Sequence, residues 1–302
     1  MTPEIRQIAD DVLRIPVKIG NCYLVGDRDE WVLVDAGVEG QADRIRAIAA
    51  ERFGENSRPE AIILTHGHFD HAGSAGKLAE RWDVAIYAHK LEMPYLTGRS
   101  KYPPPDPTVG GFMAQMIRLV PNKAFDYTEH MLELPLGEAP GMTDWAVIET
   151  PGHSPGHVSF YRESDGVLLA GDAFATVDQT KAMNLFTMKP EVALPPTYYT
   201  CDWDSAYDSV QRLAELEPEV IAAGHGEPMS GREATDGLKR LAREWPAPTH
   251  GRYVHRPAMT DESGIVYLPP PAPDPVKWTA LGVGVAAGAI GAGILLRRRR
   301  AA

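Results

Sequence analysis

Four times along this chain a short apolar run ends in a polar turn that carries histidine or aspartate. Ala61–Leu64 leads to His66, Ala146–Ile148 to His153, Val167–Ala170 to Asp172 and Val220–Ala223 to His225. Each run is long enough for a strand, and strands buried on both faces read as continuous apolar stretches. Strand ends that converge on one rim are where α/β architectures place their chemistry. Four such ends bearing donor groups predict one shared site. Further strands are expected near Val12–Ile19, Cys22–Val25 and Trp31–Val34. A helix is predicted from Gln41 to Phe53, with Ile45, Ile48, Ala49 and Phe53 on one face and Gly54 as its stop. A second is predicted over Trp203–Leu216, where Trp203, Ala206, Tyr207, Val210, Leu213 and Ala214 form a stripe and Pro218 ends the helix. Pro94–Gly111 and Phe174–Cys201 are irregular and proline-bearing, and read as long loops that wall a site.

The densest cluster of donors is Thr65-His66-Gly67-His68-Phe69-Asp70-His71. Three imidazoles and a carboxylate this close can turn inward together only on a tight loop, which Gly67 permits. Nitrogen and carboxylate donors of this kind suit zinc, and also iron or manganese.

This HGHFDH segment resembles the HxHxDH signature of the metallo-β-lactamase-fold superfamily. Thr150-Pro151-Gly152-His153-Ser154-Pro155-Gly156-His157, Leu168-Leu169-Ala170-Gly171-Asp172 and Ala223-Gly224-His225-Gly226 resemble that superfamily's later motifs, in its order. The resemblance spans about residues 10–245. It implies a mixed α/β fold, a four-layer αββα sandwich with a dinuclear site at its rim. His66, His68 and His153 would hold one metal, Asp70, His71 and His225 the second, and Asp172 would bridge both. Two zinc ions are the implied cofactors, with Fe2+ or Mn2+ as alternatives. Paired metals lower the pKa of a shared water toward neutrality, so a metal-bridging hydroxide would attack an ester, thioester or lactone carbonyl. Asp70 could also hold or relay a proton.

Tyr198 and Tyr199 lie in the irregular segment before His225. In related lactonases a tyrosine from this region assists the substrate oxygen, and these two are candidates for that role or for packing. His157 reads either as a hydrogen-bonding support to the ligands or as a structural histidine. His89, His130, His250 and His255 have no motif context.

Within the superfamily, the short proline-rich region after Gly226 lacks the length of the helical domain that true glyoxalase II enzymes use for glutathione. Asp70 together with the full ligand set disfavours a β-lactamase of the cysteine-containing class. What remains is a glyoxalase-II-like metallo-hydrolase acting on a small molecule. The alternative is a mononuclear iron sulfur (persulfide-type) dioxygenase, in which His66, His153 and Asp172 would form a two-histidine, one-carboxylate face.

Charge excludes another class. Net charge is −11, and residues 1–277 carry −15 (26 basic against 41 acidic) because Arg297–Arg300 close the chain. So acidic a body is a poor match for a phosphate backbone, and no nucleic-acid partner is expected. Cys22 and Cys201 are too few for a disulfide framework.

Four segments are expected: a catalytic domain over 1–245, a proline-rich linker over 246–277, a membrane helix over 278–296 and a basic tail over 297–302. The nineteen uncharged residues 278–296 would reach about 28 Å as a helix, enough to span a hydrocarbon core. Ala280, Gly284, Gly288 and Ala292 would allow helix-mediated self-association. The terminal arginines favour the cytoplasmic side, while the polar N-terminus lacks the pattern of a secretory signal. The reading adopted is a C-terminal membrane anchor with the catalytic domain facing the cytoplasm.

Overall fold

The structure is a computed structural model describing residues 4–119 and 124–274. The chain divides into two compact units, 1–269 and 270–302. In the second, residues 270–274 are described and form neither helix nor strand.

The first unit holds two central sheets. One has seven strands in chain order: β1 (Arg6–Ala9), β2 (Val12–Pro16), β3 (Asn21–Gly26), β4 (Trp31–Val34), β5 (Ile62–Ile63), β6 (Ile86–Ala88) and β7 (Met131–Glu133). Strands β1 to β4 form an antiparallel meander, and β4 to β7 are parallel. The other sheet runs in the order β12 (Met229–Ser230), β11 (Val220–Ala223), β10 (Val167–Gly171), β9 (Val158–Arg162) and β8 (Ala146–Glu149), with only β10 and β11 parallel.

Alternation along the strands sets the layers. In β4, Val32 and Val34 pack with Tyr23, Ile63, Phe160, Val167 and Leu169 between the two sheets. The alternate residues Trp31 and Leu33 face α1 (Ala42–Phe53) and α3 (Ala75–Trp82), touching a cluster with Ile45, Phe53, Leu78 and Trp82. On the second sheet Leu168, Ala170 and Ile221 turn outward to α7 (Trp203–Glu215) and α8 (Arg232–Glu244), against Val210, Leu213, Leu238 and Leu241. The inner strands are therefore covered on both faces, which explains the apolar runs at β5, β10 and β11, whereas β8 is a partly exposed edge strand. The result is the expected four-layer αββα sandwich. Short helices α2 (Phe69–Ala72), α4 (Met93–Leu96), α5 (Phe112–Met116) and α6 (Ala182–Thr187) occupy the connections at the rim.

Two expectations need revision. Residues 246–269 of the expected linker belong to the first unit. There β13 (Met259–Asp261) and β14 (Gly264–Tyr267) form a hairpin, while Tyr253 packs with Cys201 and Trp203. The membrane anchor is also corrected. Among the described residues no helix is long and apolar enough to cross a membrane, and the segment 278–296 lies outside them. Membrane localisation and helix-mediated self-association, which rested on that segment, lose their support.

Arg162, almost fully buried at the end of β9, ties the sheets together electrostatically. It donates to both carboxylate oxygens of Asp11 at 2.6 and 2.7 Å and to Asp165 at 2.8 and 3.0 Å, and its guanidinium lies 4.5 Å from the Trp145 ring centre. The Arg162 hydrogen bond holds the Asp11 carboxyl below its usual range. A depressed carboxyl adds stability that is complete above its unfolded value and fades as pH falls through the folded one. Arg162→Met is expected to lower the unfolding free energy by about 2 kcal/mol in urea titrations at neutral pH. The gap to the parent chain should narrow below about pH 4.

Candidate metal centre

The donor side chains sit at strand ends on one rim. His66 and His68 lie in the turn after β5, and Asp70 and His71 on the single turn of α2, where the His71 and Ala72 amides donate to the His68 carbonyl. His153 lies between β8 and β9, Asp172 directly after β10 and His225 just after β11. The β10–β11 pairing shifts register between Leu169 and Gly171, a bulge that re-aims the chain as it reaches Asp172.

All seven side chains named from the sequence come together, each buried. Donor atoms of His66, His68 and His153 lie within 4.8 Å of one another, as do those of Asp70, His71 and His225 and those of His66, His71 and Asp172. Asp172 Oδ2 is 3.4 Å from His71 Nε2, 3.4 Å from His153 Nε2 and 3.2 Å from His225 Nε2. His225 Nε2 is also 3.4 Å from Asp70 Oδ2, and His68 Nδ1 is 3.0 Å from His153 Nε2.

Four atoms at this focus are buried without a hydrogen-bond partner among the described residues: Nε2 of His66, His71 and His225, and Oδ1 of Asp172. Leaving one such group unpaired costs about 1–3 kcal/mol. A cluster of four is an arrangement suited to cations, and the nitrogen and carboxylate donors match what zinc, iron or manganese accept. The residues fit the group the motifs imply.

Protonation follows the same division. Burial holds His66 and His153 well below the usual imidazole value and brings His68 down to about 3, so these three are neutral donors. For His71 burial acts the same way, but the Asp172 and Asp35 carboxylates outweigh it and hold the ring well above its usual value. His225 is raised against burial by Asp172. Burial favours neutral Asp172, yet the facing His225 and His71 rings hold it well below the carboxylate range. Burial raises Asp70.

A second ring of residues aims the donors. Asp35, buried after β4 with φ of 59°, accepts from the Thr65 amide at 2.8 Å, from the Thr65 hydroxyl and from His71 Nδ1 at 2.8 Å. That bond fixes the tautomer and leaves His71 Nε2 free to face the centre. The Ile19 carbonyl does the same for His225, accepting from Nδ1 at 2.7 Å. His157 supports Asp172 through the backbone: Nε2 accepts the Asp172 amide at 2.8 Å, and Nδ1 donates to Thr150 Oγ1 at 2.7 Å. Glu92, buried at the start of α4, accepts from the Gly67 amide at 2.9 Å, Ser154 Oγ at 2.8 Å, the Gly156 amide at 2.7 Å and the Tyr102 hydroxyl. One carboxylate thus braces both the His66–His68 turn and the His153 loop. Asp35 and Glu92 were invisible to motif reading, since each braces donor loops far away in the sequence and lies outside the histidine motifs.

Two glycines make room. A Cβ on Gly67 would meet the Leu96 side chain at 2.8 Å, so close packing, rather than a left-handed turn, calls for glycine there. A Cβ on Gly224 would press into Asp172 Oδ1 and lie 2.5 Å from His71 Cε1.

The two tyrosines differ. Tyr198 is buried and donates to Gln179 Oε1 at 2.8 Å. Tyr199 leans on His68, with ring centres 4.4 Å apart, and makes no side-chain hydrogen bond among the described residues. Both line a cavity of about 500 Å³ that also reaches Asp70 and His225.

Residues 15–225 match the family model described as metallo-beta-lactamase superfamily. The chain belongs to the metallo-beta-lactamase superfamily. The "Probable metallo-hydrolase YflN" of Bacillus subtilis is 42% identical over 241 residues, covering 78% of this chain and 91% of the relative. Among solved structures, BLEG-1 B3 metallo-beta-lactamase shares 26% identity over 76% of this chain and 98% of its own, with a TM-score of 0.55. TTHA1623 in a di-iron-bound form shares 26% identity over 76% of this chain and 97% of its own, with a TM-score of 0.50. The reading of the chain as an enzyme of this superfamily, a metallo-hydrolase, is borne out at that level. Because Asp35 orients His71, Asp35→Asn is expected to weaken zinc binding about 10- to 100-fold in competition with a chromophoric chelator. Unchanged affinity would mean that His71 does not ligate.

Proposed function

We propose that this metallo-beta-lactamase superfamily member hydrolyses a carbonyl ester, thioester or lactone at a dinuclear centre, with two zinc ions as its resident metals. The observation that carries this reading is the group of four unpaired, buried atoms around Asp172. On this reading His66, His68 and His153 would hold one cation and Asp70, His71 and His225 the other, with Asp172 between the two sets. Bound there, two cations would supply a nucleophilic oxygen at neutral pH and a Lewis acid for the scissile carbonyl.

The chain's own residues do the rest. The cavity admits the substrate past Phe69 and Tyr199 to Asp70 and His225 at its inner end. The Tyr199 hydroxyl, without a hydrogen-bond partner among the described residues, donates to the carbonyl oxygen as charge develops on it. Tyr198 is committed to Gln179 and shapes the wall. Asp70, 3.4 Å from His225 at the cavity's end, would help hold the second cation and relay the proton released on attack to the departing oxygen or sulfur. A carbonyl substrate suits the cavity better than a phosphodiester, because Arg14, one of its two lining cations, is buried and already bonded to Asn21, Glu227 and the Gly226 carbonyl.

The mononuclear iron dioxygenase alternative gains no support: the relative with the highest identity quoted is named a probable metallo-hydrolase, and all seven donors meet at one place. Metal analysis of purified protein is expected to return two zinc ions per chain, with turnover in a panel of thioesters, lactones, β-lactams and phosphodiesters confined to carbonyl substrates. One iron per chain with oxygen consumption would reverse the assignment. Asp172→Ala should lose metal and activity together, and full metal content in that variant contradicts its shared role. Asp70→Asn should bind the second cation more weakly and, with zinc in excess, still lower kcat by about 10²–10⁴-fold.

A further inference from the structure

The cavity that ends at Asp70 and His225 has walls unlike its floor. Phe112, Met113, Met116 and Ile117, on α5 and the turn after it, line it together with Val177 and Met188. At the mouth, Ile19, Phe112, Met116 and Leu119 are 48%, 39%, 40% and 77% exposed, an apolar rim that ordinary surface composition does not require. Its polar lining is largely spoken for. Arg14 is tied to Asn21 and Glu227, the Tyr198 hydroxyl to Gln179, and Lys18 stands at the exposed edge. A peptide-like, multiply charged leaving group would find few partners here and would lose its hydration on entry. An unbranched apolar chain would exchange water for thioether and aromatic contacts. Methionines, with three flexible bonds, adapt to such chains without a fixed shape. What fills the cavity is set by its continuity with the reacting centre: it is the part of the substrate next to the scissile bond.

We infer that the substrate carries a linear alkyl chain of medium length beside its scissile carbonyl, seated against α5, Val177 and Met188. The inference rests on the hydrolase reading and narrows it. At about 500 Å³ the cavity lies within the range of small-molecule sites. Each methylene taken from water into it should raise kcat/KM by up to about fourfold until the chain outgrows the wall.

The test uses the zinc-loaded full chain and two substrate series. N-acetylcysteamine thioesters from acetyl to decanoyl place the chain on the acyl side, and acetyl thioesters of ethane- to octanethiol place it on the leaving side. A stepwise rise in kcat/KM is expected in at least one series. Met116→Asp, at a partly exposed wall position, should cut the octanoyl-to-acetyl ratio (or the matching thiol ratio) at least tenfold, while Met116→Leu keeps it. Calorimetric titration with butyrate, hexanoate, octanoate and decanoate reads the same wall without turnover, and affinity should climb with length and fall in Met116→Asp. Turnover with no length dependence in either series overturns this inference and leaves the hydrolase reading standing. Length-dependent alkanoate binding without turnover of any thioester, alkyl ester or lactone overturns the hydrolase reading and leaves only an alkyl-binding wall.

Discussion

Everything at the rim is organised around one carboxylate oxygen. Asp172 Oδ2 sits about equally far from the Nε2 atoms of His71, His153 and His225, which arrive from different turns on two sheets. No helix or strand could supply such a set locally, because neighbouring residues on one element point apart. The four-layer stack is what brings the β5, β8, β10 and β11 ends to a single edge. The charge held there is costly to desolvate, and the fold retains it because each donor is fixed from behind.

That fixing is itself long-range. Asp35 sets His71, Ile19 sets His225, His157 sets the Asp172 backbone and Glu92 joins the two histidine loops. The centre therefore assembles only when both sheets have docked, and its donors read as one cooperative unit. Asp35 occupies a left-handed backbone conformation that few non-glycine residues adopt, a local cost borne where three donors converge on one side chain.

Much of this was legible in the sequence. The apolar runs before His66, His153, Asp172 and His225 correspond to β5, β8, β10 and β11, and the periodic stretches near Gln41–Phe53 and Trp203–Leu216 to α1 and α7. Those signals are local: continuous burial, or a repeat near 3.6 residues. The seven donor residues are found side by side for a related reason, since each closes a strand or the turn after one. The parts that stayed hidden depend on partners far along the chain. Helix α8 is mostly polar and shows its core face only as Ala234, Leu238, Leu241 and Ala242. Asp35 and Glu92 are ordinary acids until the structure shows which amides they accept. The hairpin at 259–267 lies in a proline-rich stretch whose composition resembles a linker, yet Tyr253 beside it packs onto Cys201 and Trp203. The anchor expected from the uncharged stretch 278–296 and its arginine stop has no counterpart among the described residues, where no helix is long and apolar enough to cross a membrane.

Gly224 divides the site into a part that can change and a part that cannot. Any side chain there would strike Asp172 and His71, so that position admits no gradual drift. On the α5 wall Phe112 and Met116 are partly exposed and line the cavity without such collisions. A lineage built on this scaffold can therefore trade one diet for another by rewriting a single short stretch of chain, while the cradle beneath it is inherited intact.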